Sequence, residues 1–159
     1  MTRAIGRIDM SISLTHCRNG LALAILFGLA AAASAADIGQ IKVAKGQVAI
    51  ERQGKTLPAT VGTRLQTSDI VKTGSDGSVG ITMDDDSLLS AGPNSALSLD
   101  IYAFDPTTNQ GRLDTSLNKG TLAVISGRIA KQSPDAMTVR TPTAILGVRG
   151  TEFVVSVNE

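Results

Sequence analysis

Residues 36–159 predict an all-β domain: a compact β-sandwich or a solenoid-like stack of short strands. Three observations carry that prediction. Apolar residues recur at every second position in short runs. Turn residues interrupt those runs about every 8–12 positions, the spacing of sandwiches and barrels. No stretch sustains apolar residues at i, i+3, i+4, i+7 between caps, so no helix is expected after residue 36.

Taken in order, Ile41 and Val43 alternate with Lys42 and Ala44, and Val48 and Ile50 with Ala49 and Glu51. Val79, Ile81 and Met83 alternate with Gly80 and Thr82; Leu97, Leu99, Ile101 and Ala103 alternate with Ser98, Asp100, Tyr102 and Phe104. Period-two alternation assigns the first-named set of each run to a buried face and the other to solvent. Gln53-Gly54, Asp76-Gly77, Asp84 to Asp86, Gly92-Pro93-Asn94, Gly120 and Gly127 supply the turn signals. Residues 105–110 (DPTTNQ) and 132–136 (QSPDA) read as loops, the second because Pro134 removes a ladder donor. Gly46-x-Val48-x-Ile50 resembles Gly120-x-Leu122-x-Val124, each a turn glycine before an alternating strand.

The first 35 residues have a different character. Arg3, Arg7 and Arg18 precede an apolar run, Leu21 to Ala33, and Ala33-Ser34-Ala35 offers small residues where a signal peptidase cuts. The run is shorter than the ~20 residues a spanning helix needs. Residues 1–35 therefore read as a helical secretory signal peptide, with cleavage after Ala35 or Ala36, and the product as periplasmic or secreted, without stable membrane insertion. Cys17 precedes the apolar run and follows His16, so it does not fit a lipidation site.

Cleavage removes three of 15 basic residues and one of 14 acidic residues, leaving a net charge of −1. It also removes the one Cys and the one His. A chain with scattered Lys and Arg and only Tyr102, Phe104 and Phe153 as aromatics offers neither a basic face nor a stacking platform for nucleic acid. Without His or Cys the usual general bases, thiol nucleophiles and zinc ligands are missing, so no enzyme activity, cofactor or metal is expected. The run Asp84-Asp85-Asp86 has carboxylates for calcium but not the Gly and Asn spacing of a calcium loop, and reads as a solvated turn.

Four segments carry a family resemblance. Gly46 to Ile50 is the first. Residues 57–77 (LPATVGTRLQTSDIVKTGSDG) place Gly62, Leu65, Asp69, Ile70, Thr73, Gly74, Gly77 and Ser78 at spacings that form a second motif. Met83 to Asn94 is the third. Residues 139–155 (VRTPTAILGVRGTEFVV) combine Thr141-Pro142, Arg149-Gly150-Thr151 and Phe153, the most specific of the four. Together they resemble the FecR-type domain known from regulators of iron-citrate uptake, over about residues 38–157. Asp86 stands where the family has a turn glycine, and tolerates a left-handed turn better than most residues.

The resemblance implies a non-enzymatic, extracytoplasmic binding or signal-sensing module acting through another envelope protein. In membrane-bound relatives the domain relays a signal from an outer-membrane transporter to a sigma factor. Those relatives carry a cytoplasmic segment and a membrane helix before the domain, and this chain is expected to supply only the extracytoplasmic half of that function. A cell-envelope glycan-binding or adhesin-like module is the alternative. Most motif residues are expected to be structural. Gly74, Gly77 and Gly150 would allow backbone angles denied to other residues, and Thr141-Pro142 would fix an extended lead-in to a strand. Asp69 would accept hydrogen bonds in a turn, and Arg149 would pair with a carboxylate or turn carbonyls. The family pattern continues into another hairpin after Phe153, so residues 153–157 are expected either to form an open edge that favours self-association or to lie under residues 38–43.

Overall fold

The computed structural model describes residues 35–148 and 152–158; the expected leader up to residue 34, and Arg149, Gly150 and Thr151, lie outside the described residues. The all-β expectation holds. Twelve strands form one curled, mainly antiparallel sheet folded into two facing halves.

One half contains β1 (Asp37–Lys45), β4 (Arg64–Gln66), β6 (Ser78–Met83), β7 (Leu88–Ala91) and β12 (Glu152–Val157). The other contains β2 (Val48–Arg52), β3 (Lys55–Pro58), β5 (Ile70–Thr73), β8 (Ala96–Phe104), β10 (Met137–Arg140) and β11 (Ile145–Gly147). The 15-residue β9 (Gly111–Ile125) belongs to both. Its first part pairs with β8 and, in parallel, with β10; its second part pairs with β7 and β12.

Gly120 is what lets β9 serve both halves. It is not a turn between strands, as its sequence context implied, but a bend within one. Its φ of +88° is open to glycine, and a Cβ there would lie 2.2 Å from Ser95 Oγ. Before the bend Leu113, Thr115 and Leu117 point inward; after it Leu122 and Val124 do. One left-handed residue thus switches the inward register from odd to even positions.

Two other bulges overturn part of the alternation reading. The ladder shifts between Leu99 and Ile101, so Ile101 and Ala103 face solvent while Tyr102 and Phe104 pack against the core. A shift between Ile41 and Val43 turns Val43 outward. Elsewhere the alternation is as read: Val79, Ile81 and Met83 are buried, as are Ile50, Leu97 and Leu99. The Gln53-Gly54 turn has positive φ at both residues, the mirror-image turn that suits a two-residue hairpin.

A short helix, α1 (Arg128–Gln132), forms where no helix was expected and takes in the first residue of the expected loop at 132–136. Five residues are too few for periodicity to reveal. Tertiary contacts hold it instead: Arg128 N donates to Asp85 O at 2.7 Å, Ile129 N to Asp85 Oδ2 at 3.3 Å, and Ile129 is fully buried. Asp85 is therefore not part of a solvated turn. It is buried, and its oxygens also accept from Ser87 Oγ at 2.8 Å and Ser87 N at 3.3 Å. Asp86 does take the left-handed conformation, with φ +66°.

Candidate binding edge

The motif residues fall into two groups that behave differently. The first is locked into the fold. Asp69 is fully buried; Arg52 Nε and Nη2 donate to its two oxygens at 2.7 and 2.6 Å, and Gln66 N donates at 2.8 Å. The hydrogen bond to Asp69 holds the Arg52 guanidinium above its ordinary pKa. Asp69 is thus the turn acceptor expected, but also half of a largely buried ion pair whose other member, Arg52, no motif marked. Thr73 Oγ1 donates to Gly92 O at 2.6 Å and accepts from Ser95 N at 2.8 Å, tying β5 to the turn before β8.

Gly74 and Gly77 do not need left-handed angles, contrary to the sequence reading. They need space. A Cβ on Gly77 would sit 2.3 Å from Gln47 O, and one on Gly74 would sit 2.9 Å from Gln47 Cβ. Gly62 does have positive φ, +93°, in the exposed connection between β3 and β4.

The second group borders open surface. Thr141 and Pro142 form no extended lead-in; they begin the turn joining β10 to β11. Thr141 N donates to Ala144 O at 2.8 Å, and Ala144 N donates back to Thr141 Oγ1 at 3.0 Å. Both line a cleft of about 430 Å³ whose opposite wall includes Val155 and Val157 of β12. A second cleft, about 310 Å³, separates Leu146 to Val148 from Glu152 to Val155 and contains the half-buried Phe153. The two clefts mark where the halves of the sheet part: β11 ends one half and β12 ends the other.

β12 pairs with β9 through six consecutive residues without a register shift. Among the described residues nothing pairs with its other side, and β1 lies across the sheet between β4 and β6. Of the two arrangements expected for residues 153–157, the structure has the open edge. Phe153, Val155 and Val157 turn toward the core; Glu152, Val154 and Ser156 turn outward, with Val154 64% exposed.

Residues that sequence reasoning missed are buried or half-buried polar groups on strands. Asp114 is 1% exposed, accepts from Arg112 Nη2 at 2.7 Å, and lies 3.8 Å from Arg140 Nη2. Asp100 at the β8 bulge accepts from Ser98 Oγ at 2.8 Å and from Ser116 Oγ. Alternation alone would place these outward on a solvated face, and only strand pairing shows what covers them. Tyr102 is also partly enclosed. Burial, then the charge of Asp85, pushes its phenol well above the usual tyrosine range.

Comparison with known families matches residues 69–159 to the family described as FecR protein. The chain belongs to the FecR protein family. The match takes in Asp69 through Gly77, the β9 bend and the whole of the β10–β12 edge, so the motif residues of both groups lie within the FecR region except Gly62, which precedes it. No curated protein and no solved structure matches the chain. Among the described residues no helix is long and apolar enough to cross a membrane.

Proposed function

We propose that this FecR domain is an exported, non-enzymatic sensing module, periplasmic or secreted, that works by binding another protein of the cell envelope. The observation that carries the reading is the unpaired β12 edge beside two open clefts, inside the FecR match. An extended segment of the partner would add to β12, with main-chain hydrogen bonds giving affinity and the clefts taking alternate side chains. The leader at residues 1–35 supports export, and the absence of His and Cys after it argues against catalysis. No cofactor or metal enters the reading.

The test is site-specific photo-crosslinking in cells, with the reactive group at Val154 and, as a control, at Lys72 on β5. A discrete adduct with an envelope protein from Val154, lost when Ser156→Pro spoils the edge, supports the proposal. Retention of the intact chain in the cytoplasm, or identical adducts from both positions, overturns it.

One observation favours the glycan-binding or adhesin-like alternative. Tyr102 and Phe104, two of the three aromatics after the leader, line a cleft of about 480 Å³ together with Asp37 and Asp84. Binding of an envelope polysaccharide that Tyr102→Ala abolishes would support that reading.

A further inference from the structure

Among the described residues the sheet has four free edges, and they differ in how they are protected. Native edges discourage pairing by being short, by carrying Lys or Pro, or by bulging. β3 has four residues and carries both Lys55 and Pro58; β4 has three and begins with Arg64; β11 has three. β12 has six, in the order Glu-Phe-Val-Val-Ser-Val, with no Lys, Arg or Pro and no bulge against β9. It is the longest free edge among the described residues and the least defended.

Its sequence also complements itself. Laid antiparallel on a second β12 with the two-fold axis at Val154, Glu152 falls opposite Ser156, Phe153 opposite Val155, and Val154 opposite Val154. The inner face then gains two aromatic–β-branched pairs beside the axis, the kind of cross-strand neighbours that stabilise a ladder. Each Glu152 meets a hydroxyl rather than a like charge. The outward Val154, 64% exposed in the single chain, packs on its twin. A C2 contact requires such a self-complementary patch.

We infer that β12 pairs with β12 of a second copy in this register, joining the two β12-containing halves into one continuous sheet across a two-fold axis. The inference rests on the reading of β12 as the free binding edge and names an occupant for it. Pairing with a second copy and capture of a partner strand use the same hydrogen-bonding groups, so the dimer and the partner complex exclude each other.

The experiment measures the mass of the chain, expressed with its own leader and recovered from outside the cytoplasm, by sedimentation and light scattering over a range of concentrations. The wild type should weigh twice its chain mass at high concentration. Val154→Lys, which sets two ammonium groups against each other on the axis, should weaken association about tenfold or more. Unchanged thermal unfolding of the monomer shows that this variant still folds. As a positive readout, Val154→Cys should form a disulfide-linked dimer under mild oxidation, while Ile145→Cys, at a site 72% exposed on β11, should not. A wild type that stays monomeric throughout overturns the inference, as does equal crosslinking from both cysteine variants. A monomer whose Val154 still crosslinks an envelope protein overturns the dimer alone and leaves the proposed function standing. A dimer with no such adduct does the reverse.

Discussion

The stretch from Asp69 to Gly77 and the stretch from Thr141 to Val157 are both family motif, yet they use their polar groups in opposite ways. In the first, hydrogen-bonding capacity is spent inside the domain: Asp69 takes three donors, Thr73 bridges two segments, and Gly77 has no room for a Cβ. In the second, the turn at Thr141 closes on itself, Pro142 through Gly147 are exposed, and one side of β12 is unpaired among the described residues. A shared motif therefore marks both what holds a fold together and what it offers outward, and the geometry separates the two.

The sharpest way to break the contrast is at Asp69. Asp69→Ala leaves the Arg52 guanidinium without its carboxylate and Gln66 N without its acceptor. The loss should be about 3 kcal/mol, the low end for breaking a buried pair because Arg52 keeps some solvent contact. Thermal unfolding should show a midpoint lower by roughly 10 °C. An unchanged midpoint would move Asp69 out of the structural group.

A pair of glycines gives the next test. Gly77→Ala forces a methyl to within 2.3 Å of Gln47 O and should cost about 2 kcal/mol. Gly147→Ala, on β11, meets nothing within 4 Å and should leave urea unfolding within about 0.5 kcal/mol of wild type. Equal costs at the two sites would erase the distinction.

Alkaline pH sharpens the picture on the inner side. The Tyr102 phenol titrates higher in the folded than in the unfolded chain, so the folded state holds the proton longer. Its contribution is fully present below about pH 10 and is lost as pH rises above the unfolded value. Tyr102→Phe should flatten that part of the stability–pH curve and leave neutral stability little changed. A wild-type curve flat through pH 11 would contradict the enclosure of Tyr102.

The smallest expected effect on stability is at the edge. Val154→Lys should shift unfolding of the monomer by no more than about 0.5 kcal/mol, because there the side chain points to solvent on a strand paired on one side only among the described residues. A large loss would mean that β12 is structural in the same sense as Asp69.

Much of this was legible in the chain. Alternation located most strands, and Gln53-Gly54 and Gly92-Pro93-Asn94 gave true turns. The failures share one cause. Bulges at Lys42 and Asp100 and the bend at Gly120 each change which face follows, and a two-residue period has no memory of an inserted residue. Val43, Ile101 and Ala103 were assigned inward for that reason. Buried partners were hidden for another: Arg52 meets Asp69 across 17 residues, and Asp85 meets Ile129 across 44. Nothing local marks such pairs. At the edge, Phe153 was legible as a motif residue, while the clefts beside it arise only when β11 and β12 end different halves.

The bend at Gly120 also governs the order of assembly. β9 is the common seam of both halves, and it arrives after two-thirds of the chain. A chain made from its N-terminus holds β7 and β8 before the strand that joins them exists, so the edges they will set against β9 must wait. Closure then depends on pairings distant in sequence, which places the domain among slow, cooperative folders and makes the interval before β9 docks its period of greatest exposure to misassembly.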